Sequence, residues 1–143
     1  MKNYFLTLSL GILIISGLSS CKKDDAPAKS KKEYLTSKAW VYDEYFTNYN
    51  TSSTMLAYKR GKQNNSMNLA SNVVKFNTDG TYQETTETGA HLSGTWQFLS
   101  DETQTQVVNE VGTYTSNIIL INDTKYEWYD QVSGRYGKMI PQP

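Results

Sequence analysis

From Tyr34 to the end of the chain, short runs rich in Thr, Tyr, Val and Ile recur between clusters of Gly, Asn, Asp and Ser, with breaks about 8 to 12 residues apart. That rhythm constrains the fold more than any single motif does. β-Branched and aromatic residues suit a pleated, half-buried surface. Breaks this close leave no room for the crossover helices that parallel strands require. The runs are Ala39 to Asn48, Asn72 to Phe76, Thr81 to Glu87, His91 to Leu99, Gln104 to Glu110, Tyr114 to Ile121, Lys125 to Val132 and Tyr136 to Ile140. In the first, Trp40, Tyr42, Glu44 and Phe46 alternate with Val41, Asp43 and Tyr45, one set for each face of a strand. Between the second and third, Asn77, Thr78, Asp79 and Gly80 supply the Asp-Gly pair whose positive φ a tight hairpin needs. The expected body is all-β, a single antiparallel meander of about eight strands closed as a barrel or stacked as a sandwich.

One connection breaks the rhythm. Residues 50–71 carry Thr51, Ser52, Ser53, Gly61, Asn64, Asn65 and Ser66 around a small apolar cluster of Met55, Leu56 and Tyr58. Loops beyond about 12 to 15 residues are uncommon unless they are lids, binding loops or disordered. The segment is either a bland excursion or a functional lid, with a short strand or helix near Thr54 to Lys59.

The front of the chain is of another kind. Residues 1–20 follow the plan of a secretory signal, with Lys2 ahead of an apolar stretch from Tyr4 to Leu18 that is too short to span a membrane. Leu18, Ser19, Ser20 and Cys21 resemble a bacterial lipobox. Cys21 is the chain's one cysteine, has no partner for a disulfide and stands between an export signal and a charged run. It is read as the lipidated first residue of the mature chain rather than as a buried thiol. Residues 21–33, with Lys22, Lys23, Asp24 and Asp25 at their head, read as a solvated, flexible tether. A lysine followed by two acids after the cysteine resembles the export tag of surface-displayed lipoproteins of Bacteroidota. The expected location is therefore the outer membrane, lipid-anchored through Cys21 and facing the cell surface, with the periplasmic face as the alternative.

Residues 34–143 form one domain in this reading, and in them acids outnumber bases. Over the whole chain 14 Lys+Arg meet 14 Asp+Glu, so there is no basic surface for nucleic acid. The one histidine, His91, faces away from Trp96 and Phe98 in its run and is expected outside. No zinc or calcium spacing and no Gly-x-Ser-x-Gly elbow occurs. No metal, cofactor or catalysis is expected. Glu84 or Glu87 set against Asp43 or Glu44 could serve glycoside hydrolysis only at the separations that chemistry uses, about 5 to 10 Å; solvated strand faces explain these acids more simply.

Leu35, Thr36, Ser37, Lys38 and Trp40, then Val74, Phe76, Asp79, Gly80, Thr81 and Tyr82, then Gly94, Thr95, Trp96 and Phe98 occur in an order and spacing that resemble the lipocalin-like domain lipoproteins of Bacteroidota. The likeness runs to Ile118–Ile121 and Trp128, with Ser37 where that family often has glycine. It implies an eight-stranded up-and-down barrel, with no enzymatic activity and no agreed ligand.

Aromatic residues are the candidate binding groups. All but one of the 11 tyrosines lie from Tyr34 onward, and tyrosine joins an apolar ring to a hydroxyl, which suits both a packed core and a half-wet pocket. Tyr42, Tyr82, Trp96 and Trp128, with Glu84 to orient a polar group, are the expected lining of a site for a small apolar or amphipathic ligand. The alternative is a protein-protein interaction module, an inhibitor or accessory subunit of an envelope complex, acting through the outer face or residues 50–71.

Overall fold

The computed structural model describes residues 28–143. The signal segment 1–20, Cys21 and the first part of the tether lie outside the described residues. Chain order among the described residues is a helix α1 (Lys31–Thr36), then β1 (Ala39–Thr47), β2 (Met55–Lys59), β3 (Val73–Phe76), β4 (Thr81–Thr85), β5 (His91–Leu99), β6 (Gln104–Asn109), β7 (Gly112–Ile121), β8 (Tyr126–Asp130) and β9 (Arg135–Pro141).

All neighbouring strands pair antiparallel, and β1 also pairs with β9. That pairing closes β1 and β3 to β9 into an eight-stranded up-and-down barrel. The eight runs read from the sequence are its eight strands, each within a few residues of its expected bounds. The expected piece near Thr54 to Lys59 is a strand, β2, outside the closed cycle.

β2 exists because β1 is long enough to be paired twice on one edge. Its first half, Ala39 to Val41, pairs with β3, and its second half, Glu44 to Thr47, pairs with β2. The wall between β1 and β4 near the barrel's open end is therefore completed by residues 60–72 rather than by a strand. Met67 N–H donates to Ala57 O (3.1 Å), Asn65 is tied to Lys59 in both directions, and Leu69 packs with Tyr45, Ala57 and Tyr58. The long connection is part of the wall.

The alternation read for β1 fails after Tyr42. Against β9, Tyr42 pairs with Met139 and Glu44 with the adjacent Lys138, so Asp43 is an extra residue, a β-bulge that reverses the facing of everything beyond it. Glu44 and Phe46, expected to share the face of Trp40 and Tyr42, instead face outward, and Tyr45 turns in. Asp43 and Glu44 then both reach Lys138, Asp43 at 2.9 Å. Arg60 secures the bulge, with its backbone N–H on Asp43 O (2.8 Å) and Nε on Tyr42 O (2.7 Å).

The opposite end is sealed. α1 begins at Lys31, three residues inside the segment read as tether, because Ser30 and Glu33 form a capping box that nucleates a turn. The helix sets Leu35 over the barrel floor beside Trp40; both are 0% exposed, and Trp40 Nε1 donates to Leu35 O at 2.9 Å. Lys29 and Lys38 converge on Asp123 in the turn between β7 and β8. Above this floor the core is aromatic, with the Phe76 ring in tilted or edge contact with Tyr82, Trp96 and Tyr126 at 5.4–5.9 Å. Gly80 (φ 86°) turns the β3–β4 hairpin, as its Asp-Gly signal indicates.

Candidate functional site

Between the aromatic floor and the open end the barrel is not filled. A cavity of about 270 Å³ lies there. A cavity of about 150 Å³ lined by apolar side chains already accepts benzene, so this one has room for a small aromatic or short aliphatic body with a polar head. Val74, Phe76, Leu92, Val107 and Met139 supply apolar lining. The rim is formed by Met67 from the wall segment, Val111 from the β6–β7 turn and Arg135 at the start of β9. Arg135 and Val111 are exposed, which marks this end as the mouth.

Part of the polar lining is a linked set on the β4 side, while Thr105, Asn109, Ser116 and Asp130 add polar groups from the other walls. Tyr82 and Glu84 are two apart on β4 and share its inner face; the Tyr82 hydroxyl donates to Glu84 Oε2 at 2.6 Å. Asn72, at the end of the wall segment, donates Nδ2 to Glu84 Oε1 at 3.4 Å. Tyr42 and Tyr45 meet edge to face at 5.6 Å, and Tyr45 meets Trp128 at 6.2 Å. Trp128 is held in place by Gly137, where a Cβ would lie 2.5 Å from the indole ring. Lower down, the Thr105 and Tyr126 hydroxyls are hydrogen-bonded at 2.9 Å. Asp130 also lines the cavity, but its carboxylate accepts the Val132 and Ser133 N–H groups and the Ser133 hydroxyl, capping the β8–β9 turn.

Burial dominates the acidity of these phenols. Tyr82 and Tyr42 are pushed well above the usual tyrosine range, first by burial and then by the negative charge of Glu84. Tyr126 is pushed up by burial to about 12, with its bond to Thr105 opposing. At neutral pH all three are neutral hydroxyls able to donate or accept.

Four of the five residues expected in a binding site, Tyr42, Tyr82, Glu84 and Trp128, line the cavity together. Trp96 does not. It lies in the floor beneath, against Phe76 and Phe98, with Nε1 donating to Asn77 O at 2.8 Å. Tyr45, Asn72, Thr105 and Arg135 are lining residues that the sequence reading did not single out. The bulge hid Tyr45, and Asn72 lies at the edge of its run. The period-two set Arg135, Gly137 and Met139 carried a usable signal for Arg135. Glu84 faces the interior while Asp43 and Glu44 pair with lysines on the outside, so the barrel wall divides Glu84 from both; Glu87 is exposed in the turn after β4. His91 is exposed, on the outer face, as expected.

No protein-family model matches this sequence, and no curated protein matches it. Solved structures do. A DUF4847 family protein from Bacteroides vulgatus superposes with a TM-score of 0.57 at 11% identity, covering 80% of this chain and 100% of that one. A lipocalin-like protein from Bacteroides uniformis superposes with a TM-score of 0.51 at 9% identity, covering 76% and 98%. The fold is lipocalin-like. An uncharacterized protein from Bacteroides eggerthii is similar to the same extent, with a TM-score of 0.51 at 10% identity over 76% of this chain and 99% of that one. A lipocalin-like barrel of eight strands has an interior that side chains can just fill or that can hold one small ligand. In this one, small or short side chains such as Thr105 and Ser116 in the lining leave the space open.

Proposed function

We propose that this protein is a non-enzymatic, lipid-anchored lipocalin-like barrel that holds one small apolar or amphipathic molecule in its interior. The observation that carries this reading is the cavity, apolar over most of its wall, with Glu84, Asn72 and the Tyr82 hydroxyl linked in one polar cluster. Burying about 200 Å² of apolar ligand surface contributes roughly 5 kcal/mol before the cost of immobilisation. The polar cluster then fixes orientation.

Anchoring is supported by the lipobox-like run ending at Cys21 and by the way the chain enters the fold. Lys29 and α1 lie at the sealed floor, so a lipid upstream of them leaves the mouth directed away from the membrane. The Lys-Asp-Asp run after Cys21 favours the cell surface over the periplasm. Cys21→Ser should release the protein from the membrane fraction, and protease shaving of intact cells should degrade the wild-type protein.

Native mass spectrometry of protein purified from its own host tests the carrier reading. One small-molecule adduct per chain, lost on organic extraction, is expected. A homogeneous population of bare chains that also fails to take up short amphiphiles would contradict it. A second reading, a protein-interaction module, is favoured by one feature of the outer face: a bulge in β7 leaves the consecutive Ile119 and Leu120 exposed at 56% and 39%. Co-purification of one stoichiometric partner, lost in Ile119→Ser, would support it.

A further inference from the structure

The polar lining of the cavity is unbalanced. Glu84 accepts one short bond from Tyr82 and one long bond from Asn72, and no Lys, Arg or His among the described residues is within ion-pair distance of it. A carboxylate offers about four lone-pair positions. A carboxylate drawn away from bulk water is ordinarily matched by a cation. Asn72, 6% exposed, spends its amide N–H on Glu84 and leaves Oδ1 buried with no hydrogen-bond partner. Turning that amide over would set its oxygen against the carboxylate, so Glu84 itself fixes the orientation that orphans Oδ1. The Tyr42 hydroxyl, close enough to feel the charge of Glu84, makes no hydrogen bond among the described residues.

These groups share one requirement. A half-empty carboxylate, an orphaned amide oxygen and electron-rich tyrosine and tryptophan rings all call for a positively charged N–H donor. The other charged groups of the lining do not meet it. Asp130 is committed to its turn, and Arg135, the one cation among the described lining residues, stands exposed at the mouth, where its charge reaches Tyr42 and Tyr45 but forms no ion pair with Glu84. Resting on the ligand-binding reading above, we propose that the occupant is an organic cation. It is a protonated amine on a small apolar body, its ammonium between Glu84 and Tyr42, its body against Val74, Val107 and Met139.

Matched ligands that differ only in the head group test this. The purified protein is titrated calorimetrically at neutral pH with hexylamine, hexanol and hexanoate, and with phenethylamine, phenethyl alcohol and phenylacetate. The amine of each set should bind about tenfold tighter or better than its neutral and anionic counterparts, the scale expected of a charge-assisted bond. Glu84→Gln should abolish that preference while alcohol binding persists, which also reports that the variant is folded. Arg135→Gln, which removes a like charge from the mouth, should tighten amine binding. Equal affinities across head groups would overturn the cation assignment and leave the carrier reading standing. A preference for the carboxylates, weakened by Arg135→Gln, would overturn it in favour of an anion held at the mouth. Failure of all six to bind would overturn both readings.

Discussion

One contact at the scale of single residues decides whether the cavity keeps its shape. Gly137 is there because the Trp128 indole occupies the space of its side chain, with ring atoms 2.5 Å from an ideal Cβ. Gly137→Ala must displace Trp128 or the β8–β9 pairing, and overpacking of this kind costs about 1–3 kcal/mol. The urea midpoint should fall accordingly. The interior tyrosines make a second claim. With folded-state pKa values raised above the ordinary value near 10, the native state retains phenolic protons that the unfolded chain releases. Stability from these groups is complete below about pH 10 and falls as pH rises, for Tyr126 across the span from 10 to about 12. Denaturant titrations at stepped pH should show that loss, and phenolate absorbance should rise in two stages, with the buried set ionising last.

At the scale of elements, most of the wall was legible in the sequence. The runs from His91 to Leu99 and from Gln104 to Glu110 reappear as β5 and β6 because period-two alternation and Gly, Asn and Asp breaks act locally. Tyr82, Glu84 and Trp128 were legible for the same reason: each keeps the parity of its strand. What escaped depends on contacts distant in sequence. The Asp43 bulge follows from pairing with Lys138 across β9, so no local pattern announced that Tyr45 turns inward or that Glu44 turns out. α1 is a six-residue helix whose capping box sits in a lysine-rich stretch that reads as spacer, and it persists because Leu35 is buried. Trp96 had the right parity but lies one layer too deep, a matter of height along the barrel that alternation does not encode. The bulge yields a direct prediction. Deleting Asp43 would remove the extra residue and restore regular alternation, with Glu44 still outward opposite Lys138 and Tyr45 still inward opposite Gly137. It should therefore preserve cooperative folding while losing the contact Arg60 makes with the bulge, and Asp43→Ala, which loses only a partly exposed ion pair, should cost about 1 kcal/mol or less. Thermal melts of the two variants compare these outcomes.

The whole molecule is a barrel closed at the end where the N-terminal segment arrives and open at the other. Its floor is made by α1, Trp40 and the turn at Asp123, its side wall is completed by residues 60–72, and its mouth is rimmed by Met67, Val111 and Arg135. A closed floor on the side of Lys29 and an open mouth opposite it fit the surface-held receptacle proposed above, and the aromatic floor confines any occupant to the upper half. A two-dimensional amide NMR titration of the full chain with hexylamine tests this most directly. Saturable shifts at Tyr82, Glu84, Val107 and the Trp128 indole, with Ile119 and Leu120 unmoved, are the result predicted. Shifts confined to the outer face of β7, or no saturable shift in the interior at all, would contradict it.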